Sequence, residues 1–131
     1  MALILPGSAS ANCKPGKPEP FASFLEAFSR DKQFAVARTE YPLSLFNHGE
    51  IDIERDRREI VKKNISKDDD AAMPSMAAFA RDNGHEISTT SLLKKDATVR
   101  MTKPGTDWLY TYHFVRKNAC WYLRRIEDHS L

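Results

Sequence analysis

Phe21, Phe24, Leu25 and Phe28 recur at the i, i+3, i+4, i+7 spacing of one helical face, and that face is strongly aromatic. The spacing predicts a helix from Pro20 to Ser29, with Pro20 at the first helical position, where a missing N–H costs nothing. Ahead of it, Lys14–Pro20 carries prolines at 15, 18 and 20, too many for a helix interior, and reads as a linker. Asp31 is placed to cap a second short helix anchored by Phe34. Tyr41-Pro42 is expected to end that helix, because proline disfavours the helical region for the residue before it.

Leu43, Leu45 and Phe46 suggest a short strand, Asn47-His48-Gly49 a turn, and Ile51 and Ile53, alternating with Asp52 and Glu54, another strand. From Glu54 to Lys63 the pattern becomes dense mixed charge, with Ile60, Val61 and Ile65 as a narrow helical stripe. Lys67-Asp68-Asp69-Asp70 reads as a surface loop leading into a helix with an aspartate near its cap. Met73, Met76, Ala77 and Ala80 mark that helix's buried face, Pro74 suits its first turn, and Asn83-Gly84 supplies its stop.

Beyond Gly84 the chain is strand-rich: Ile87–Leu93, Thr98–Thr102, Trp108–Val115 and Trp121–Ile126, divided by Lys95-Asp96, Pro104-Gly105 and Lys117-Asn118. Trp108, Tyr110, Tyr112 and Phe114 share one strand face, as if packed on the first helix. Ile126 is out of phase with Trp121 and Leu123, which predicts a bulge near Arg124-Arg125. The expectation is one α+β domain over residues 21–131, with N-terminal helices packed against a curved, mostly antiparallel sheet of four to six strands.

Charge changes this picture little. Lys and Arg number 20 against 18 Asp and Glu, a net +2 over 131 residues, which argues against a dedicated nucleic-acid binder. No apolar run approaches the ~18 residues of a membrane span. The N-terminus matters more. Residues 1–11 carry no charged side chain, Ala2–Leu5 is apolar, and Ala9 and Ala11 match the A-x-A cleavage pattern of an export signal. Residues 1–20 therefore read as an export-signal remnant and linker, and the expected compartment is the periplasm. There an even count of two cysteines permits one disulfide, Cys13–Cys120, worth roughly 4–5 kcal/mol at most by chain entropy; the alternative is two independent thiols.

Phe21-x-x-Phe24-x-x-x-Phe28, Asp31-x-x-Phe34, Arg38 and Tyr41-Pro42-Leu43 together resemble the opening of a bacterial branch of the nuclear transport factor 2-like superfamily. Trp121-x-Leu123-x-x-Ile126-x-Asp128 resembles its last strand. The resemblance covers about residues 20–50 and 105–128 and implies a cone-shaped α+β fold that usually encloses a pocket, which the large aromatics here are available to fill. The superfamily includes enzymes, ligand binders and interaction domains. In size and compartment the chain also resembles periplasmic immunity proteins that neutralise cell-wall amidases delivered by type VI secretion.

The candidate chemistry is thin. His48, His85, His113 and His129 show no metal-ligand spacing, so no metal, no cofactor and no catalytic residue is expected. His113 could act as a base oriented by Asp107, Glu127 or Asp128, although a solvent-facing strand histidine is the ordinary reading. Tyr110 and Tyr112 could donate to a ligand but suffice as core aromatics. Cys120 near His113 lacks a nucleophile elbow, and Asp68-Asp69-Asp70 lacks calcium-loop spacing. Arg55, Arg57, Arg58, Lys62 and Lys63 interleave with acids as a solvated zwitterionic face. The reading is a non-enzymatic, exported protein-binding domain, its partner a secreted peptidoglycan amidase, with a homodimer also compatible. Its candidate partner-binding residues are Ser88, Thr89, Thr90, Ser91, Lys103, Gly105 and Asp107, small or turn-shaped groups expected to project from strand ends. The alternative is a small-ligand binder or enzyme with a cone-shaped pocket.

Overall fold

A computed structural model of the protein describes residue 13 and residues 16–52 and 57–130, with the side chains of residues 50–52 and 57–59 left out. The export-signal reading of residues 1–11 and most of the charged set around Arg55 fall outside the described residues. The elements run α1 (Phe21–Arg30), α2 (Lys32–Ala37), β1 (Thr39–Asp52), β2 (Arg57–Ile65), α3 (Lys67–Ala71), α4 (Met76–Asn83), β3 (Glu86–Leu92), β4 (Asp96–Thr102), β5 (Leu109–Lys117) and β6 (Cys120–Asp128). The strands form one six-stranded sheet in the order β2-β1-β6-β5-β4-β3, antiparallel throughout except for the parallel pair β1–β6. No helix among the described residues is long and apolar enough to cross a membrane.

The helix ends follow local chemistry. Pro20 precedes α1, Asp31 Oδ1 accepts from the Phe34 N–H at 3.2 Å to cap α2, and Gly84, at φ 71°, closes α4 in the left-handed region that glycine enters without strain. The true caps of α3 and α4 are serines: Ser66 Oγ accepts from Asp69 N and Ser75 Oγ from Ala78 N. The expected single loop-and-helix is thus two helices, with Pro74 between them and Met73 exposed.

Residues 39–65 depart most from the sequence reading. α2 ends at Ala37, and Tyr41-Pro42, joined by a cis peptide bond, lies within β1. The expected turn at Asn47-His48-Gly49 is instead a bulge in one long strand, where Asn47 Oδ1 accepts from Gly49 N at 2.8 Å. Gly49 is required by contact: a Cβ there would come within 2.1 Å of the Ser130 carbonyl oxygen. The narrow stripe Ile60, Val61 and Ile65 belongs to β2, not to a helix, because pairing with β1 (Leu43 with Ile65, Asn47 with Val61) overrides a weak local pattern.

The inner, helix-covered face of the sheet holds the core. Ala97, Val99 and Met101 of β4, Phe114 of β5, Trp121 and Leu123 of β6 and Leu43 of β1 meet Phe21, Phe24, Phe28 and Phe34 from the helices. Phe114 stands edge-on to Phe21, Phe24 and Phe28, with ring centroids 5.2–5.5 Å apart. The rings of Trp108, just ahead of β5, and Tyr110 meet Phe79 of α4, each with centroids 6.0 Å away. The expected bulge is present: His113 pairs with Arg125 and Phe114 with Leu123, so Arg124 is the extra residue and Ile126 returns to the inner face.

Cys13 and Cys120 are joined in a disulfide, which removes Cys120 as a nucleophile. The bridge spans 107 residues of sequence. Opening it by Cys13→Ser should cost about 2–4 kcal/mol, below the chain-entropy ceiling because Glu19 also holds this segment. Urea unfolding with and without reductant measures the loss, and alkylation without reductant followed by intact mass should find neither thiol.

Candidate functional site

Aromatic side chains crowd the two ends of the inner face, Phe114 under α1 and Trp108 under α4. The middle stays open as a cavity of about 230 Å³. Leu43, Met101 and Leu123, all but fully buried, form its floor, and Leu45, Ile65, Met76 and Ile126 complete a mainly aliphatic lining. Tyr110 and Tyr112 line it as the sequence reading allowed. The rim carries Lys32 at the start of α2, Asp70 on α3, and Met73 and Pro74 in the connection to α4.

Lys32 Nζ donates to Asp70 Oδ1 at 3.1 Å, and the Tyr41 hydroxyl donates to Asp70 Oδ2. This trio ties α2, α3 and β1 together at the mouth. Burial, and then the Asp70 carboxylate, push the Tyr41 hydroxyl pKa upward, so it remains a donor. Burial does the same to Tyr112, with Tyr110 adding to it. The polar groups at the mouth thus satisfy one another, and the space behind them is apolar. Local spacing could not have shown the trio: Lys32 and Asp70 are 38 residues apart, and each alone looks like a surface charge.

Beyond the cavity, His85 is buried among Phe79, Trp108 and Tyr110, and neither ring nitrogen has a hydrogen-bond partner. Burial, reinforced by Lys103, lowers its pKa below the ordinary 6.5. The unfolded chain therefore binds this proton more readily than the folded one, so the associated stability is fully present above about pH 6.5 and is lost as pH falls from there through the lowered value of the folded chain. Thermal unfolding followed from about pH 7.5 down to 5.5 should show a falling midpoint, and His85→Leu should flatten that slope. An unchanged slope would place the titrating groups elsewhere.

His113 lies on the outer face of the sheet, opposite the cavity. Its Nε2 shares a hydrogen bond with Glu127 Oε2, so of the three acids considered for it the structure brings Glu127. Glu127 Oε1 meets His48 Nε2 at 2.8 Å, and the His48 ring stacks on His129 with centroids 4.3 Å apart. Burial raises the Glu127 pKa, but the hydrogen bonds to His48 and His113 outweigh it and the net shift is downward. His48, Glu127 and His129 have the donor types of a metal site. Cys13, Glu19 and Cys120 also converge, but the disulfide occupies both sulfurs.

The candidate partner-binding residues lie apart from both places. Ser88, Thr89, Thr90 and Ser91 sit along β3, exposed on the sheet's edge, not in a protruding loop; Thr90 is the extra residue of a bulge. Lys103, Gly105 and Asp107 belong to the β4–β5 turn, with Gly105 at φ 77° and the Thr106 hydroxyl donating to the Lys103 carbonyl at 2.8 Å. Asp70 of the acidic run is engaged with Lys32 and Tyr41.

No family model matches the sequence, and no curated protein is significantly similar to it. Among solved structures the chain is similar to an NTF2-like protein from Bacteroides fragilis, with TM-score 0.62 and 19% identity over 87% of this chain. The match covers 48% of that protein, so the chain spans about half its length. A de novo designed protein with a curved β-sheet matches at TM-score 0.50 and 7% identity, over 84% of this chain and 96% of that one. An NTF2-like protein of unknown function from Shewanella baltica matches at TM-score 0.44 and 11% identity, over 83% of this chain and 86% of that one. The order of helices and strands, the unclosed mixed sheet and the Bacteroides match give this chain an NTF2-like α+β fold.

Proposed function

We propose that the protein binds a small, largely apolar molecule in the cavity between the sheet and the helices, without turning it over. The observation that carries this is the cavity itself: about 230 Å³ of space lined mainly by apolar side chains, with Leu, Ile and Met making up half of the lining residues. An apolar cavity of ~150 Å³ accepts benzene, whereas drug-sized ligands need ~300 Å³ or more. The fitting class is therefore a monocyclic or short-chain molecule. Binding without turnover is supported at the mouth, where Lys32 and Tyr41 both donate to Asp70 and these three groups are engaged with one another. The test uses benzene and indole as probes, read by calorimetry and by the unfolding midpoint. Saturable binding of either, lost when Leu45→Trp fills the cavity, is the expected result. Absence of any binding or midpoint shift with both would overturn the reading.

The earlier reading, an exported protein-binding domain directed at a peptidoglycan amidase, is favoured by one observation. β3 is an open sheet edge on which every residue but Ile87 is exposed, its last residue Leu92 included, and exposed Leu93 follows it. Such an edge accepts a partner strand through main-chain hydrogen bonds. The disulfide fits the oxidising compartment that this reading places the protein in. Thr89→Pro, which blocks the edge without touching the cavity, should abolish a partner's binding and leave benzene binding intact.

A further inference from the structure

We propose that His48, Glu127 and His129 form a binding site for a zinc-class divalent ion on the outer face of the sheet, opposite the cavity. The candidate ligand atoms, one per side chain, all lie within 4.8 Å of one another. A tetrahedral zinc site with bonds of ~2.0–2.2 Å holds its ligand atoms about 3.4 Å apart, so these three reach one ion once the stacked His48 and His129 rings turn their nitrogens toward it. Two imidazoles and one carboxylate suit zinc, cobalt or nickel better than magnesium or calcium, which prefer all-oxygen sites. The three side chains are half-buried, which leaves a fourth position open to water or a ligand.

The backbone prepares this meeting. His48 sits in the β1 bulge, and the parallel pairing of β1 with β6 places Phe46 opposite Glu127 and Asn47 opposite Asp128. Gly49 lets β1 close against the Ser130 backbone, which brings the His48 and His129 rings into contact. The His129 N–H donates to the Leu109 carbonyl at 2.9 Å and Ser130 N to Asp128 Oδ1 at 2.9 Å, fixing the chain beyond β6. Glu127 is oriented from its second oxygen: His113 Nε2 bonds Oε2, leaving Oε1 toward His48 and the ion. Such a partner for a ligating carboxylate is typical of outer-shell support. Arg125 Nε, 3.7 Å from Oε2, lies on that same supporting side.

Tag-free, chelator-treated protein titrated with zinc chloride by calorimetry should bind one equivalent, and cobalt chloride should produce the intense visible absorption of a four-coordinate N,O site. His48→Gln and His129→Gln should each weaken zinc binding by at least tenfold. His113→Gln should weaken it by roughly tenfold while keeping one equivalent, because it alters only the outer shell. His85→Leu, remote from the cluster, should bind as the unaltered chain does. Absence of saturable zinc binding, or affinity unchanged in a folded His48→Gln/His129→Gln double variant, would overturn the site. The cobalt spectrum of the unaltered protein decides the matter independently should that variant not fold.

Discussion

Glu19→Ala should cost about 3–5 kcal/mol of unfolding free energy, the loss expected when one partner of a buried ion pair is removed. The Glu19 carboxylate accepts from Arg38 Nη1 at 2.7 Å and Nη2 at 3.0 Å, and Oε1 also accepts the Trp121 N–H at 3.0 Å. Only 2% of the Arg38 side chain and 9% of the Glu19 side chain are exposed. Without the carboxylate, the guanidinium would keep the Trp121 carbonyl and the faces of Phe24, Phe34 and Tyr122, none of which carries a full negative charge. The Trp121 N–H would lose its acceptor as well. Glu19→Leu with Arg38→Met, which removes both charges, should recover part of the loss, since a buried pair replaced by apolar side chains is often nearly neutral. Urea unfolding of the two variants against the parent measures this. A single-variant midpoint equal to the parent's would mean that residues 16–20 are not docked in solution.

Glu19 also shows where reading the sequence ends. It lies in Lys14–Pro20, whose prolines read as a linker, and residues 16–20 carry no helix. Nothing in that local composition says that a glutamate between two prolines reaches Arg38, 19 residues on, and Trp121, 102 residues on. The same division runs through the fold. α1, the α2 cap, the glycine stop of α4, the last four strands and the Arg124 bulge rest on signals a few residues wide and were legible. β1 and β2 were not, because their length is set by pairing with each other and with β6. Apolar pattern alone reads the β1 bulge as a turn.

The candidate sites divide likewise. Tyr110 and Tyr112 were legible as inward strand residues because alternation places them. The Lys32–Asp70–Tyr41 mouth joins three elements, and the His48–Glu127–His129 cluster joins β1 to the end of β6. Histidines 81 residues apart in number carry no spacing signal, so the absence of H-x-x-x-H excluded only helical metal motifs. The aromatics expected to fill the cone do fill its ends. The cavity survives between them, where Leu45, Met76, Met101 and Ile126 line it beside Phe28 and Phe79.

Phe114→Ala should cost about 3–5 kcal/mol, as large-to-small changes in a close-packed core do, and should test how cavity and core are joined. Phe114 is 1% exposed, and among the described residues it alone of the strand side chains has a ring that meets all three phenylalanines of α1. Its edge-to-face contacts with them add to the apolar area that truncation would uncover. Tyr112 also stacks beside it, with centroids 6.4 Å apart. A methyl group in its place would leave a void that Phe21 and Trp121, themselves packed at 5.0 Å, cannot fill without moving. Ile60→Ala, at a residue 63% exposed on β2, should change stability by no more than about 0.5 kcal/mol and serves as the comparison. Phe28 belongs both to the Phe114 cluster and to the cavity wall, so the loss reaches the binding space. Benzene should bind Phe114→Ala more weakly under conditions where the variant is still folded, because the wall that confines it has lost its backing. A Phe114→Ala midpoint within that of Ile60→Ala would mean that α1 does not pack on β5 as described.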